Sequence, residues 1–171
     1  MNYAEIKNCD IANGPGVRVS LFVSGCTHHC PGCFNQVTWD FNYGQPFTQA
    51  TIDHIIQLLE PSYIKGLTVL GGEPMDPQNQ TWVLGLLLQV RARYPEKSIW
   101  VFTGYLFDRD LASSTHPVMK ELLSQIDVIV DGPFILEKRN LGLRFRGSDN
   151  QRIINVPESL KTKQVVLWSD A

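Results

Sequence analysis

Apolar residues fall along this chain in two alternating periods. Short runs rich in β-branched residues recur at Val17 to Val23, Leu67 to Leu70, Ile99 to Phe102 and Ile126 to Val130, and more weakly at Gln164 to Trp168. Each has the length and composition of a buried strand. Between them the spacing changes to that of a helix. Thr48 stands where an N-cap belongs, ahead of Ile52, Ile55, Ile56 and Leu59 on one helical face, and Pro61 ends the pattern. Asp76-Pro77 predicts the start of a second helix that carries Trp82, Leu86, Leu87 and Val90 and closes near Tyr94-Pro95. Pro117 through Met119, Leu122 and Leu123 predicts a third.

Strands that alternate with helices imply parallel strands joined by right-handed crossovers. A closed eight-stranded β/α barrel takes about 250 residues, and this chain has 171. The expected fold is α/β: a partial, open β/α barrel or curved open sheet, mostly parallel, in one domain over residues 1–171. Ligands of such sheets gather at the carboxyl ends of the strands. Here Cys26 follows the first strand, Gly71-Gly72-Glu73-Pro74 the second, Thr103-Gly104-Tyr105 the third and Asp131-Gly132 the fourth. Four strand ends are therefore expected to surround one cavity.

Composition narrows the partners. The chain is 43% hydrophobic, enough for a single core. Runs such as Leu86 to Leu88 or Val128 to Val130 fall far short of the roughly 20 apolar residues that span a bilayer. Fifteen basic and seventeen acidic residues give a net charge of -2, so bulk electrostatics argues for neither nucleic acid nor an anionic membrane as partner. The opening MNYAEIKNCD has no basic stretch leading into an apolar core, and the expected location is the cytoplasm. Cysteines there bind metal or do chemistry more often than they pair.

Three of the four cysteines fall within eight residues, in Cys26-Thr27-His28-His29-Cys30-Pro31-Gly32-Cys33, directly after a strand and the turn residues Ser24 and Gly25. Thiolates at this density can hold three corners of a cubic iron-sulfur cluster and leave the fourth iron open to a small molecule that bears an amine and a carboxylate. The competing reading is structural zinc, which would need His28, His29 or the distant Cys9 as fourth ligand. Otherwise His28 and His29 read as exposed loop residues beside the sulfurs, and Cys9 as a small, soft side chain. Gly71-Gly72-Glu73-Pro74 is by itself a strand-ending turn. Its glycines allow close backbone approach and its carboxylate suits a ligand's ammonium group. No phosphate-binding GxxxxGK[ST] loop and no local hydrolase nucleophile signature occurs.

Together, the cysteine loop and the GGEP segment resemble the radical S-adenosylmethionine superfamily. Asn13-Gly14-Pro15-Gly16, Cys30-Pro31-Gly32-Cys33-Phe34-Asn35, Trp39, Gly44-Gln45-Pro46-Phe47, Trp100 with Thr103-Gly104-Tyr105, Asp131-Gly132 and Arg146-Gly147-Ser148-Asp149-Asn150-Gln151 look like the anaerobic ribonucleoside-triphosphate reductase activating proteins, from Asn13 to about Arg152.

That resemblance implies a [4Fe-4S] cluster on Cys26, Cys30 and Cys33, with the amine and carboxylate of S-adenosylmethionine on the fourth iron. An electron would break the sulfur-carbon bond, and the 5′-deoxyadenosyl radical would take hydrogen from a glycine of the reductase large subunit. It further implies that Gly32 and Phe34 lie near the adenine, that Gly71, Gly72 and Glu73 engage the amino group, and that Thr103 and Asp131 contact the ribose or carboxylate. A reduced flavodoxin-type donor is implied as well. The wider superfamily often has an aromatic residue immediately before the third cysteine; here Gly32 stands there and Phe34 follows, which leaves the adenine-stacking residue open. An activator of another glycyl-radical enzyme, resembling that of pyruvate formate-lyase, shares the loop and the chemistry. By position and charge, Arg18 and the stretch Arg144 to Arg152 are the expected docking residues for the reductase.

Overall fold

The computed structural model describes residues 1–169. Eleven regular elements follow in order: β1 (Asn2–Asp10), β2 (Val17–Val23), β3 (Gln45–Pro46), α1 (Gln49–Leu58), β4 (Ile64–Gly71), α2 (Gln80–Arg93), β5 (Ser98–Phe102), α3 (Pro117–Ser124), β6 (Val128–Asp131), β7 (Arg152–Asn155) and α4 (Val156–Thr162). The strands form one sheet in the order β3-β1-β2-β4-β5-β6-β7. It is open, with β3 and β7 at its edges.

The four central strands are parallel and lie in chain order, as the alternating pattern predicts. The margins are not. β1 pairs antiparallel with both β2 and β3, and β7 antiparallel with β6. The expectation of a mostly parallel sheet therefore holds for its middle only. A short turn between β1 and β2 permits only an antiparallel return, because a parallel one needs a crossover of a dozen or more residues.

Strand side chains alternate between two faces, and both are buried. Val19, Leu21, Val23, Leu67, Val69, Ile99, Val101 and Ile129 pack with Ile52, Ile55, Leu86, Leu87, Val90, Met119 and Leu122 of the first three helices. The alternate positions Trp100, Val128 and Val130 form a second cluster with Phe102, Phe145, Ile153 and Trp168. Burial on both sides explains the nearly unbroken apolar runs of the central strands. The helices on the first face leave the second to irregular chain, and the cavity opens there.

Several boundaries differ from the sequence pattern. α2 starts at Gln80 behind Asn79. The Asp76 side chain takes the Gln78 N–H at 2.9 Å, so Asp76-Pro77 makes a turn ahead of the helix. Residues Gln164 to Trp168 form no strand; only Leu167 bridges to Ile154, while the Trp168 ring packs edge-on against Trp100 at 5.0 Å.

Arg18, expected at a docking surface, is fully buried. It lies on the second face of β2, its guanidinium 5.8 Å from the Trp100 ring. Its nitrogens donate to Thr68 Oγ1, Ser98 Oγ and the carbonyls of Pro15, Leu67 and Ser98 at 2.9–3.2 Å. Burial holds its pKa down at about 10. It ties the turn before β2 to β4 and β5, and no partner protein can touch it.

Candidate iron-sulfur site

One cavity of about 380 Å³ opens over the carboxyl ends of β2, β4, β5 and β6, and Cys26, Cys30, Cys33, Gly71, Gly72, Glu73, Thr103 and Gly132 all line it. That volume lies within the range of small-ligand and cofactor sites.

The cysteine loop leaves β2 through Gly25, whose N–H donates to the Thr38 carbonyl at 2.7 Å. Cys26, Cys30 and Cys33 are free and half-buried. Burial pushes the Cys26 thiol up to about 11, and the Glu73 carboxylate adds to this; the backbone N–H groups of His28 and His29 pull the other way. Burial likewise raises Cys30, opposed by the Phe134 N–H. The Asn35 N–H donates to Cys33 Sγ at 3.4 Å. Each sulfur thus meets a backbone N–H, the type of donor that holds a thiolate once a metal has displaced its proton. Among the described residues no three Cys, His, Asp or Glu side chains close on one point to hold a single ion. A cubic cluster asks for a wider arrangement, one sulfur at each of three corners, and the donor set fits that group.

The two glycines of the GGEP segment serve first to bring two chain segments together. Gly71 has φ +111°, and a Cβ on Gly72 would sit 2.5 Å from the Gly25 carbonyl oxygen. The Gly72 and Glu73 N–H groups donate to the Val23 and Gly25 carbonyls at 2.8 and 2.7 Å. Only glycine fits this approach, and it clamps the GGEP segment to the root of the cysteine loop.

Glu73 is 1% exposed. One oxygen accepts from His28 Nε2 and Gly104 N, both at 2.7 Å, and the other from Thr103 Oγ1 and Met75 N, both at 2.9 Å. A carboxylate offers about four lone-pair sites, and here all are taken. The bond to Glu73 raises the His28 pKa. His28 is therefore a half-buried link from the cysteine loop to the GGEP segment rather than a bystander. His29 is exposed, its ring stacked on Trp39 at 4.3 Å.

The remaining expected residues divide. Phe34 lines the cavity and Gly32 does not. Phe34 is 64% exposed yet touches the Phe134 ring at 5.5 Å, and a Cβ on Gly32 would meet Leu136 at 2.7 Å. Thr103 faces the cavity through its bond to Glu73. Asp131 does not line it. Its buried carboxylate accepts from Phe107 N at 2.8 Å and from Arg152 Nε and Nη2 at 3.0 and 2.6 Å. Arg152 also pairs with Asp108 at 2.8 Å. Arg144 lies over the Phe145 ring at 4.6 Å. Arg146 lines the cavity, with Asn13, Trp39 and Phe134, which the sequence pattern does not place there.

Known proteins resemble this chain over most of its length. Residues 12–154 match the family model of the 4Fe-4S single cluster domain. Enterobacteria phage T4 has a protein named anaerobic ribonucleoside-triphosphate reductase-activating protein, 46% identical over 155 residues, which are 90% of this chain and 93% of that one. The chain belongs to that family. Its relatives of the same name include those of Escherichia coli strain K12, 45% identical over 88% of this chain and 96% of the relative, and of Vibrio cholerae, 46% identical over 90% and 97%. The loop that carries Cys26, Cys30 and Cys33 lies within the region matched by the 4Fe-4S single cluster domain.

Proposed function

We propose that this chain activates an anaerobic ribonucleoside-triphosphate reductase by reductive cleavage of S-adenosylmethionine at a [4Fe-4S] cluster. The observation that carries this reading is that three thiols of one loop and the GGEP segment of the next strand line a single cavity at strand ends. When bound, the cluster supplies the electron that splits the sulfonium into methionine and a 5′-deoxyadenosyl radical, which takes a hydrogen atom from a glycine of the reductase.

The chain's own residues do the rest. Cys26, Cys30 and Cys33 hold three irons, and backbone N–H groups aimed at the sulfurs help set the potential. Glu73 keeps the strand ends of β4 and β5 and the cysteine loop in one arrangement, so that ligand and cluster meet in a fixed geometry. Phe34 lines the cavity on the side proposed for the adenosine, with Gly32 in the loop just before it. Thr103 acts through Glu73. The sheet, with helices on one face and parallel strands in chain order, supports the partial barrel of the radical S-adenosylmethionine type, whose open side admits a glycine-bearing loop. A reduced flavodoxin-type protein is the proposed electron donor, and the cytoplasm the proposed location. Among the described residues no helix is long and apolar enough to cross a membrane.

The test is anaerobic. Iron and sulfide are reconstituted, dithionite and S-adenosylmethionine added, and 5′-deoxyadenosine assayed with and without the reductase. Deoxyadenosine together with a glycyl signal in paramagnetic resonance, seen only with the reductase, is the expected result. A cluster that cleaves S-adenosylmethionine while the reductase gains no radical would assign the chain to another glycyl-radical enzyme. A colourless, zinc-loaded protein would end the radical reading.

A further inference from the structure

Glu73 is the sole carboxylate among the residues that line the cavity. A ligand that brings a cation there has no other anion to pair with, yet the four acceptor sites of Glu73 already serve four donors. An ammonium group can bond to this carboxylate only by taking the place of one of them. Three are fixed. Met75 N and Gly104 N belong to the backbone, and Thr103 Oγ1 is buried and itself accepts the Tyr105 N–H at 3.1 Å.

The fourth donor can leave. The His28 side chain lies on the cysteine loop, lines the cavity and is 19% exposed, against 1% for Glu73. Its Nε2 donates to Oε1 at 2.7 Å, and its ring stands edge-on to Tyr105 at 4.6 Å. It lies over Gly104, where a Cβ would come within 2.6 Å of the ring carbon Cδ2 and 2.8 Å of Nε2. The ring keeps this place only because residue 104 has no side chain. Its departure does not undo the root of the loop, since the Gly72 and Glu73 N–H groups still hold the Val23 and Gly25 carbonyls at 2.8 and 2.7 Å.

We propose that His28 is a displaceable donor: it holds the Glu73 oxygen that the ammonium of S-adenosylmethionine takes, and it yields that oxygen when the ligand binds. The proposal rests on the radical reading above for the identity of the ligand. Two donors compete for one oxygen, so the bond that His28 gives up subtracts from the ligand's affinity. Binding also frees the stretch between Cys26 and Cys30 from the strand end.

Equilibrium binding to the reconstituted, iron-loaded protein tests it, with S-adenosylmethionine and the analogue that lacks its α-amino group as probes and the ratio of the two affinities as the readout. His28→Ala is expected to move that ratio about tenfold in favour of S-adenosylmethionine, the scale of one hydrogen bond to a charged group. Gly104→Ala, which keeps His28 but crowds its ring off the carboxylate, is expected to move it the same way and stands in if His28→Ala does not load iron. His28→Gln, which keeps an N–H donor on a side chain of similar reach, is expected to leave it within about twofold. An unchanged or lowered ratio in the iron-loaded alanine variants would overturn the proposal. A glutamine variant that matches alanine would show that the bulk of the ring, and not its bond to Glu73, opposes the ligand, and would overturn it equally. If the unaltered protein binds neither probe, the radical reading itself fails; if it binds S-adenosylmethionine and the ratio does not move, that reading stands and the exchange at Glu73 does not.

Discussion

His28 Nε2 donates to Glu73 Oε1 at 2.7 Å and so joins the cysteine loop to the strand-end segment across the cavity. The bond is one of four on a carboxylate that is 1% exposed. Three come from strand-end residues, Thr103, Gly104 and Met75, and the fourth from the loop that carries the cysteines. Glu73 therefore organises the cavity before any ligand arrives.

Replacing Glu73 by Gln tests this directly. A carboxamide has one acceptor oxygen, so two of the four donors would face an NH2 group, and a buried donor left unmet costs about 1–3 kcal/mol. Glu73→Gln is expected to lower the stability of the metal-free protein by about 2–4 kcal/mol in urea titration. A loss under about 0.5 kcal/mol, the scale of an ordinary surface substitution, would show that the four bonds do not hold the loops together.

Arg18 invites a second substitution. Its guanidinium holds the carbonyls of Pro15, Leu67 and Ser98 and the hydroxyls of Thr68 and Ser98. Met fits the space and donates nothing. Arg18→Met is expected to cost about 2–4 kcal/mol through the stranded acceptors, measured as a shift of the unfolding midpoint. Its affinity for the reductase should match that of the unaltered protein under conditions where both are folded. Weaker binding by a folded Arg18→Met protein would return Arg18 to the interface.

The sequence pattern identified the central strands because β2, β4, β5 and β6 each carry a run of β-branched and aliphatic residues that the sheet buries. β1 escaped it. Its nine residues, Asn2–Asp10, are polar at most positions and half exposed, so no period stands out. β7 has four residues, and its pairing with β6 is set by the tertiary closure of the loop before it. The site divides the same way. The cysteines and Gly71 to Glu73 are legible because their chemistry lies in contiguous residues. His28 takes its place from Glu73, 45 positions away, and Arg146 reaches the cavity wall through the fold of its loop; a charge count sees both as surface. Arg18 was misread for the same reason: alternation in β2 turns it inward, where backbone carbonyls solvate it.

Asp10 gives a pH dependence whose sign follows from its donors. Burial raises its pKa but is outweighed by bonds from Ser20 Oγ, the Ala12 N–H and Asn13 Nδ2, which together hold the carboxyl below its ordinary value. A depressed folded-state pKa contributes stability that is complete above the unfolded value of about 3.9 and disappears as pH falls through the folded one. The stability difference between the unaltered protein and Asp10→Asn should stay level from about pH 5 to 8 and shrink below about pH 4. A difference that grows on acidification would contradict the assignment. The same titration reports on the cavity, since Asp10 fastens the turn that carries Ala12 and Asn13 to its wall.

The cysteines can be separated by iron content. Cys26, Cys30 and Cys33 share the cavity, whereas Cys9 is exposed on β1, its sulfur 3.7 Å from the Asn8 side chain. If these three thiols are the protein ligands, replacing any one by Ser removes a third of them, so each variant should retain well under half of the iron and sulfide bound by the unaltered protein after anaerobic reconstitution. Cys9→Ser should retain all of it. The metal-free serine variants should unfold at nearly the same urea concentration as the unaltered metal-free protein, because the half-buried sulfurs are lost with little change in volume. Iron loss together with intact folding assigns the three thiols to the cluster. Full iron in Cys33→Ser, or its loss in Cys9→Ser, would require a different ligand set.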